Sequence, residues 1–468
     1  MVLAFLASVF CLLCLLAFLL YSKDFRRWLP TYSEQQHSSA NLSTPRISRD
    51  PALIRPDYDV VIIGSGYGGG VAASRLARSG KRAGQFPHTL KAALRESRVN
   101  DICPGRQRTL GKASGLYHKY KGKGQDVFSG CGLGGSSLIN AGVFLRAENR
   151  IFEGPEWPVE IRENSDGLKQ YYQRGEQMFR PSPYPESLPK QQKLTVFECQ
   201  SKDLVLHDRL YLPPLTTSFD NCINSAGVTV CQSTGSGNEC AGVNDGSKNS
   251  VLVTYLADTW TWGAEIFCGV DVKHVRKLDH EKELVILGAG AVGTTEILLR
   301  SRSYGLPASP LLDQRLSGNG DLLAFAYNCK QSLNAIGGET SSISHHERCG
   351  PTITACIDMR GTGEAPNSML KAGIPMTYSY KRQTLMKAIA SMKIWILGPY
   401  YAGGSVNRTA VYLVMSYDEN EGTMEISDVK TNLQWSGIGA ESRNDHIKNL
   451  PAGASASIGA TYVPVPSV

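Results

Sequence analysis

Two blocks of the chain share one pattern of apolar and small residues. In each block a short apolar run leads into a glycine-rich turn and then into small and apolar residues at helical spacing. A strand buried on both faces has a continuous apolar run rather than alternation, so each block predicts a strand, a turn and a helix. The blocks cover residues 58–80 and Glu283–Ser301.

Weaker patterns predict the remaining elements. Apolar residues at helical spacing predict an amphipathic helix at Leu168–Met178 and a helical patch at Thr89–Ser97. The glycines and lysines that follow this patch predict a loop to about Asp126. Short runs at Pro351–Met359 and Ala410–Ser416 predict β-strands, and no repeat of solenoid type is visible.

The N-terminal residues predict a membrane anchor. Val2–Tyr21 contains no charged side chain and, as a helix, would cross roughly one bilayer core of about 30 Å. No basic residue precedes the run and several follow it, which favours an uncleaved single-pass anchor over a cleaved signal peptide. The basic flank favours a cytosolic domain, whereas the sequons at Asn41 and Asn407 favour a lumenal one, so the side of the membrane stays open.

Composition narrows the class of protein. The 468 residues include 42% apolar and 19% charged side chains, as in globular proteins. The net charge of +7 comes from scattered lysines and arginines, which argues against nucleic-acid binding. The 12 cysteines have irregular spacing and predict neither a metal site nor a disulfide scaffold.

The first glycine turn has the sequence context of a dinucleotide-binding site. In such a turn one glycine permits the tight bend, another lets a pyrophosphate approach the backbone, and a third lets the helix pack on the strand. The N–H groups of the following helix can then bind the anion. The turn consists of Gly64, Ser65, Gly66, Tyr67, Gly68 and Gly69.

The acidic residue expected after this turn is missing. In dinucleotide-binding folds a second strand ends in Asp or Glu about 20 residues on and binds the ribose. No acidic residue occurs between Asp59 and Glu96, and residues 81–88 contain no apolar run. Either an unusual loop stands here, or a segment is absent from this chain.

A second glycine-rich turn combines glycines with serines and ends in apolar residues. Such a turn lets backbone lie against a flat ring or a phosphate, although composition alone also fits a structural turn. It runs over Ser129, Gly130, Cys131, Gly132, Leu133, Gly134, Gly135, Ser136, Ser137, Leu138, Ile139, Asn140 and Ala141.

Together the two turns resemble the glucose–methanol–choline (GMC) family of FAD-dependent oxidoreductases, most of all its cholesterol-oxidase-like branch. Further similar stretches follow in the family's order to about residue 465, among them KNSVLVTYLADTWTWGAEIF and LVILGAGAVGTTEILLRS. The resemblance implies an α/β protein with a doubly wound FAD-binding domain and a mixed, largely antiparallel substrate domain inserted in pieces. The implied chemistry is alcohol oxidation by hydride transfer to the flavin.

The resemblance also implies roles for individual residues. The first turn would bind the FAD pyrophosphate, the second would line the flavin, and Val272 would lie on a strand that offers backbone to the adenine. The expected cofactor-binding residues are Gly64, Gly66, Tyr67, Gly68, Gly69, Gly132, Gly134, Gly135, Ser136, Ser137, Asn140 and Val272.

A third glycine cluster, Gly288–Gly293, also satisfies the dinucleotide pattern. A second site for NAD is one interpretation. The other is a strand and helix that return to the FAD sheet, and it is favoured because no C-x-x-x-x-C of a disulfide reductase follows the first helix.

The chain departs from the family pattern in three places. The acidic second strand is absent, the segment Lys273–Glu283 is short for the family's small antiparallel excursion, and neither a His-Pro nor an Asn-Pro dipeptide occurs. In the family those dipeptides accompany the catalytic histidine. None of the 9 histidines carries a comparable motif, so no catalytic residue is assigned.

The sequence therefore predicts a membrane-anchored FAD-dependent oxidoreductase that acts on a hydrophobic alcohol, with a sterol as the narrower expectation. The alternative is a truncated, non-catalytic relative with impaired or no FAD binding. The expected division is an anchor at 1–22, a linker at 23–56, FAD-binding pieces at 57–150 and 231–320, and substrate-domain pieces at 151–230 and 321–468.

Overall fold

The chain folds into mixed helices and strands. A computed structural model describes residues 47–76, 94–103, 106–112, 115–155, 157–278, 284–318, 320–335, 348–358, 405–416, 421–427, 430–435 and 442–464. Its helices are α1 (Tyr67–Leu76), α2 (Asn149–Phe152), α3 (Val159–Arg162), α4 (Lys169–Phe179), α5 (Gln192–Asp203), α6 (Tyr255–Thr261), α7 (Gly290–Arg302) and α8 (Ser442–Ser457). Its strands are β1 (Val60–Ile63), β2 (Ser97–Cys103), β3 (Arg106–Gly111), β4 (Tyr117–Tyr120), β5 (Gly122–Lys123), β6 (Val127–Gly130), β7 (Leu210–Tyr211), β8 (Cys222–Ile223), β9 (Thr229–Val230), β10 (Leu284–Leu287), β11 (Leu322–Tyr327), β12 (Cys356–Ile357), β13 (Ala410–Val414), β14 (Thr423–Ser427), β15 (Lys430–Gln434) and β16 (Thr461–Pro464).

The two strand–turn–helix blocks lie side by side. Strand β1 pairs in parallel with β10, with Val60 opposite Leu284 and Ile63 opposite Leu287. Helix α1 follows β1 and α7 follows β10, so both predicted units are confirmed. Within the described residues this sheet consists of these two strands. The doubly wound sheet that the resemblance implies stays a prediction.

A sheet with the order β3-β2-β4-β6 occupies a segment that the sequence predicted as a loop. Strands β2 and β3 form an antiparallel hairpin, and β4 pairs in parallel with β2 and antiparallel with β6. The loop prediction is wrong because charged residues interrupt the alternation along β2 and β3, while the buried side chains of the sheet include Tyr117, His118 and Tyr120 of β4. Strand β6 leads directly into the second glycine turn.

Antiparallel pairing dominates the rest of the described chain. One sheet has the order β13-β11-β16 and another β14-β15-β5, and two strand pairs are β12-β7 and β8-β9. The predicted strand at 410–416 is confirmed as β13, whereas the described part of the run at 351–359, residues 351–358, contains only the two-residue β12. The predicted amphipathic helix is confirmed as α4, shifted by one residue at each end.

The largest apolar core surrounds the second glycine turn. Leu138 and Ile139 at the end of that turn pack with buried residues of α4 and α6 and of the segment before α6. Helix α1 lies against the same core, because a Cβ at Gly70 would stand 2.4 Å from Cγ1 of Val251. The buried members of the core are Ile47, Tyr117, Leu138, Ile139, Phe179, Val251, Leu252, Tyr255 and Leu256.

Two sequence predictions fall wholly or largely outside the described residues. These are the membrane anchor at Val2–Tyr21 and the helical patch at Thr89–Ser97, of which 89–93 are not described. Among the residues that are described, no helix combines the length and apolar character needed to cross a bilayer. The expected domain boundaries stay a prediction.

The buried histidine of β4 predicts an acid-sensitive fold. His118 is 6% exposed. Burial, assisted by the charge of Arg98, lowers its pKa from 6.5 to about 4. The pKa of His118 is lower in the folded than in the unfolded protein. His118 therefore does not lower the free energy of unfolding above pH 6.5, and it lowers this free energy increasingly as the pH falls from 6.5 to about 4.

We expect a shift from about pH 7 to about pH 5 to remove about 2 kcal/mol of unfolding free energy through His118. Urea unfolding at both pH values should show this loss in the wild type and a smaller loss in His118→Phe. His274→Phe, at a histidine that stacks on Tyr304, is the matched control. An equal loss in wild type and His118→Phe would contradict the assignment.

Candidate functional site

Backbone packing fixes the first glycine turn against the returning strand. Gly64 has φ +103°, and a Cβ there would stand 2.3 Å from the carbonyl oxygen of Gly288. A Cβ on Gly69 would stand 1.9 Å from the carbonyl oxygen of Gly64, and one on Gly288 would stand 2.5 Å from the nitrogen of Gly69. Any side chain at these three positions would force the strands and helix apart.

The other two glycines of the first turn, Gly66 and Gly68, have free space where a side chain would begin. A Cβ on Gly66 would meet only Cα of Gly135, at 4.0 Å, and one on Gly68 would meet nothing within 4 Å. The bond from Gly70 N–H to the Gly66 carbonyl, 2.7 Å long, starts the hydrogen-bond pattern of α1. The N–H groups of 67–69 precede that bond, and such groups at a helix N-terminus are suited to bind an anion.

The second glycine turn contacts the first directly. The N–H of Gly134 donates to Oγ of Ser65 over 3.2 Å. A Cβ on Gly135, which has φ +60°, would stand 2.8 Å from Cα of Gly66. The fold therefore brings together the two turns that the sequence assigns to one cofactor.

The side chains of Ser136 and Ser137 stabilise the second turn by hydrogen bonds to backbone. Ser136 Oγ accepts the N–H of Gly130 at 3.0 Å. Ser137 is 1% exposed. Its hydroxyl donates to the Gly134 carbonyl at 2.7 Å and accepts the N–H of Val251 at 3.0 Å. Gly132 is packed as well, since a Cβ there would stand 2.5 Å from Cδ1 of Leu138.

Asn140 links the second turn to α1. Its Nδ2 donates to the Tyr67 hydroxyl at 2.7 Å, and its Oδ1 accepts the N–H of Gly142 at 3.3 Å. Tyr67 is the first residue of α1, so this bond joins the second glycine turn to the helix N-terminus. Desolvation raises the pKa of Tyr67, which keeps this hydroxyl protonated at neutral pH.

A buried lysine that sequence reasoning missed supports the same turn. Lys248 is 8% exposed. Its Nζ donates to the carbonyls of Leu138 at 3.2 Å, Asn140 at 2.6 Å and Glu239 at 3.0 Å. A single lysine in a loop of glycine, asparagine and serine carries no periodic signal, so the pattern could not have identified it.

Val272 does not lie on a strand. The structure places it, half-buried, in an irregular segment, which differs from the strand expected for an adenine contact. In the described residues the sheet of β1 contains only β1 and β10, so Val272 belongs to no strand of it.

The third glycine cluster has a packing role. Its first glycine, Gly288, makes the backbone contact with Gly69, and Gly290 begins α7. This placement agrees with the interpretation as a returning strand and helix.

The described residues fit one half of FAD better than the other. The open N-terminus of α1 suits a pyrophosphate, and the adjoining second turn suits a flat ring linked to it. The chain offers no acidic residue between Asp59 and Glu96 for the ribose. In the described part of the chain, the histidines with placed side chains are His118, His207 and His274, and none makes a side-chain hydrogen bond or ring contact with either turn.

The glycine geometry predicts opposite effects for two alanine substitutions. Gly68→Ala should fold with unchanged or higher stability, because the site is open and alanine favours a helix by about 1 kcal/mol over glycine. Its FAD affinity should fall, since the methyl group would narrow the approach to the helix N-terminus. Gly64→Ala should lower the unfolding free energy by several kcal/mol, on the order of the cost of strain and overpacking combined.

Thermal unfolding and FAD titration of both variants check this prediction. A Gly64→Ala protein as stable as wild type would refute the packing role. A Gly68→Ala protein with wild-type FAD affinity would refute the role of the open face.

The chain is similar to a known protein family and to individual known proteins. Residues 58–278 match the family of GMC oxidoreductases. Two curated relatives, the cholesterol oxidases of Mycobacterium tuberculosis strains CDC 1551 / Oshkosh and ATCC 25618 / H37Rv, are each 30% identical over 139 residues. That alignment covers 27% of this chain and 22% of each relative, so the chain matches about a fifth of their length.

A solved structure of a fungal aryl-alcohol oxidase superposes with a TM-score of 0.42 and 13% identity, over 89% of this chain and 86% of that one. Proteins of the matched family are oxidoreductases that bind FAD. Over residues 58–278, somewhat less than half of its length, this chain is therefore similar to the GMC oxidoreductase family.

Proposed function

We propose that this chain is an FAD-dependent oxidoreductase that acts on the CH–OH group of a hydrophobic alcohol. One observation carries the proposal: the two glycine turns meet at Gly66 and Gly135, so an open helix N-terminus and a backbone-lined turn adjoin. A pyrophosphate next to a flat ring is the ligand that such a pair of surfaces suits. The match of residues 58–278 to the GMC family supports the same cofactor.

The chain's own residues would bind and orient the cofactor and the substrate. The N–H groups at the start of α1 would hold the pyrophosphate, and the second turn would face the flavin. When bound, FAD supplies the acceptor for the hydride that leaves the carbinol carbon. The hydroxyl proton needs a base within hydrogen-bond reach, and we assign that role to no residue of this chain.

A sterol is the narrower substrate proposal. It is supported by the similarity to two cholesterol oxidases and by the predicted apolar segment Val2–Tyr21, which would place the enzyme where a lipid substrate partitions. The similarity covers 22% of those relatives, and membrane attachment is likewise a proposal.

The second candidate is a relative that does not catalyse the reaction. It is favoured by the absence of an acidic residue between Asp59 and Glu96, which removes the usual partner of the ribose hydroxyls. Such a protein would fold around the contact between β1 and β10 but bind FAD weakly or not at all.

The visible spectrum of the full chain, purified in mild detergent and supplied with FAD, separates the two candidates. We expect the flavin absorbance bands to remain with the protein after gel filtration. A folded protein that emerges colourless would overturn the first candidate and favour the second.

A substrate panel tests the chemistry. We expect the FAD-loaded chain to convert cholesterol to the ketone faster than it oxidises an aryl alcohol or a short primary alcohol. A preference for the aryl alcohol would refute the sterol proposal and keep the reaction class, whereas no turnover of any alcohol by the flavin-loaded protein would refute the reaction class. Peroxide formation, compared with reduction of an artificial electron acceptor, distinguishes an oxidase from a dehydrogenase.

A further inference from the structure

Lys248 is a buried cation whose side chain contacts the second glycine turn, although it lies far from that turn in the sequence. A lysine ammonium has three N–H donors, and each of the three here has a backbone carbonyl acceptor, at Leu138, Asn140 and Glu239. The carbonyls of Leu138 and Asn140 belong to the end of the second glycine turn. The side chain is 8% exposed, and all three of its donors bind backbone carbonyl oxygens.

The charge of this lysine is maintained at neutral pH. Burial lowers the pKa of Lys248 to about 8, and the carboxylate of Glu239 partly offsets that effect. The lysine is thus mostly protonated at pH 7, and hydrogen bonds from a charged donor are about twice as strong as neutral ones. Loss of the proton would leave one of the three carbonyls without its donor.

Glu239 provides the counter-charge and is itself fixed. It is 0% exposed, and its Oε2 accepts the N–H of Thr352 at 2.8 Å and the Thr352 hydroxyl at 2.6 Å. Its Oε1 is buried and has no hydrogen-bond partner in the described part of the chain. The short helical turn Glu239–Ala241 is also held by Tyr117, whose hydroxyl donates to the Ala241 carbonyl at 2.5 Å.

The bond to Asn140 extends the effect of the lysine to the first turn. Lys248 fixes the backbone of Asn140, and the side chain of Asn140 donates to Tyr67 at the start of α1. These two hydrogen bonds, from Lys248 to Asn140 and from Asn140 to Tyr67, therefore connect the buried cation to the second glycine turn and to the start of α1.

We propose that Lys248 is a positioning residue. Its hydrogen bonds to the carbonyls of Leu138 and Asn140 hold residues 134–140 of the second glycine turn in the conformation that binds FAD. The proposal rests on the proposed function for the identity of the cofactor. It does not assign Lys248 a contact with FAD or with substrate.

Lys248→Met tests the proposal, because methionine keeps the apolar stem and removes all three donors. We expect the FAD dissociation constant of the full chain to rise about 10- to 100-fold, as for the loss of one or two charge-assisted hydrogen bonds. Visible circular dichroism of the remaining bound flavin should change, because the ring would sit against an altered turn. Without FAD, peptide-level hydrogen exchange over 134–142 should become faster.

Lys193→Met is the matched control. Lys193 also donates to backbone carbonyls, those of Pro351 and Thr352, but makes no contact with the 134–140 turn. FAD affinity and exchange over 134–142 should stay within about twofold of wild type in this variant, a change of about 0.4 kcal/mol or less. An equal loss of affinity in both variants would mean general destabilisation and would overturn the proposal, as would wild-type affinity in Lys248→Met.

Removal of Lys248 alone leaves the Glu239 carboxylate buried without a counter-charge, which can prevent folding. The double variant Lys248→Met/Glu239→Gln removes both charges and is used if the single variant does not fold. If the folded wild type itself binds no FAD, the proposed function fails, and hydrogen exchange then decides the positioning role alone. Faster exchange over 134–142 in the variant supports the role, and unchanged exchange refutes it.

Discussion

The contact between Gly64, Gly69 and Gly288 is the constraint on which the candidate site depends. Carbonyl and amide atoms of the first turn and the returning strand lie closer than any side chain would permit. That distance lets β1 and β10 pair in parallel and places α1 directly beneath the turn. Glycine is required for packing at these positions, and the open face of the turn is formed by Gly66 and Gly68. One short sequence therefore combines crowded and open glycines.

The parts of the fold that the sequence predicted well are those in which a single local rule decides the structure. Val60–Ile63 and Leu284–Leu287 are continuous apolar runs before glycines, and both form strands that pair with each other. The helix at Lys169–Phe179 has apolar residues at helical spacing and was predicted to within one residue at each end. In each case the burial of one strand or one helix face is visible in the sequence itself.

The remainder depends on contacts between distant residues, which leave little trace in a single sequence. Strands β2 and β3 carry charged residues, and their sheet becomes evident only when β4 supplies its buried face. Val272 was expected on a strand from resemblance alone, and no strand forms there in the described chain. Lys248 has no pattern of its own, because its function is defined by three carbonyls that lie from 9 to 110 positions away along the chain.

The two glycine turns contact each other directly, so the chain between them need not supply the atoms of that contact. Ser65 and Gly134 are 69 positions apart, yet their contact is made by atoms of the turns themselves. The entropy of closing a flexible loop grows only with the logarithm of its length, and doubling that length costs only about 0.6 kcal/mol. Residues added to an irregular part of the connecting segment, outside strands β2, β3, β4 and β6, would therefore cost the junction little free energy.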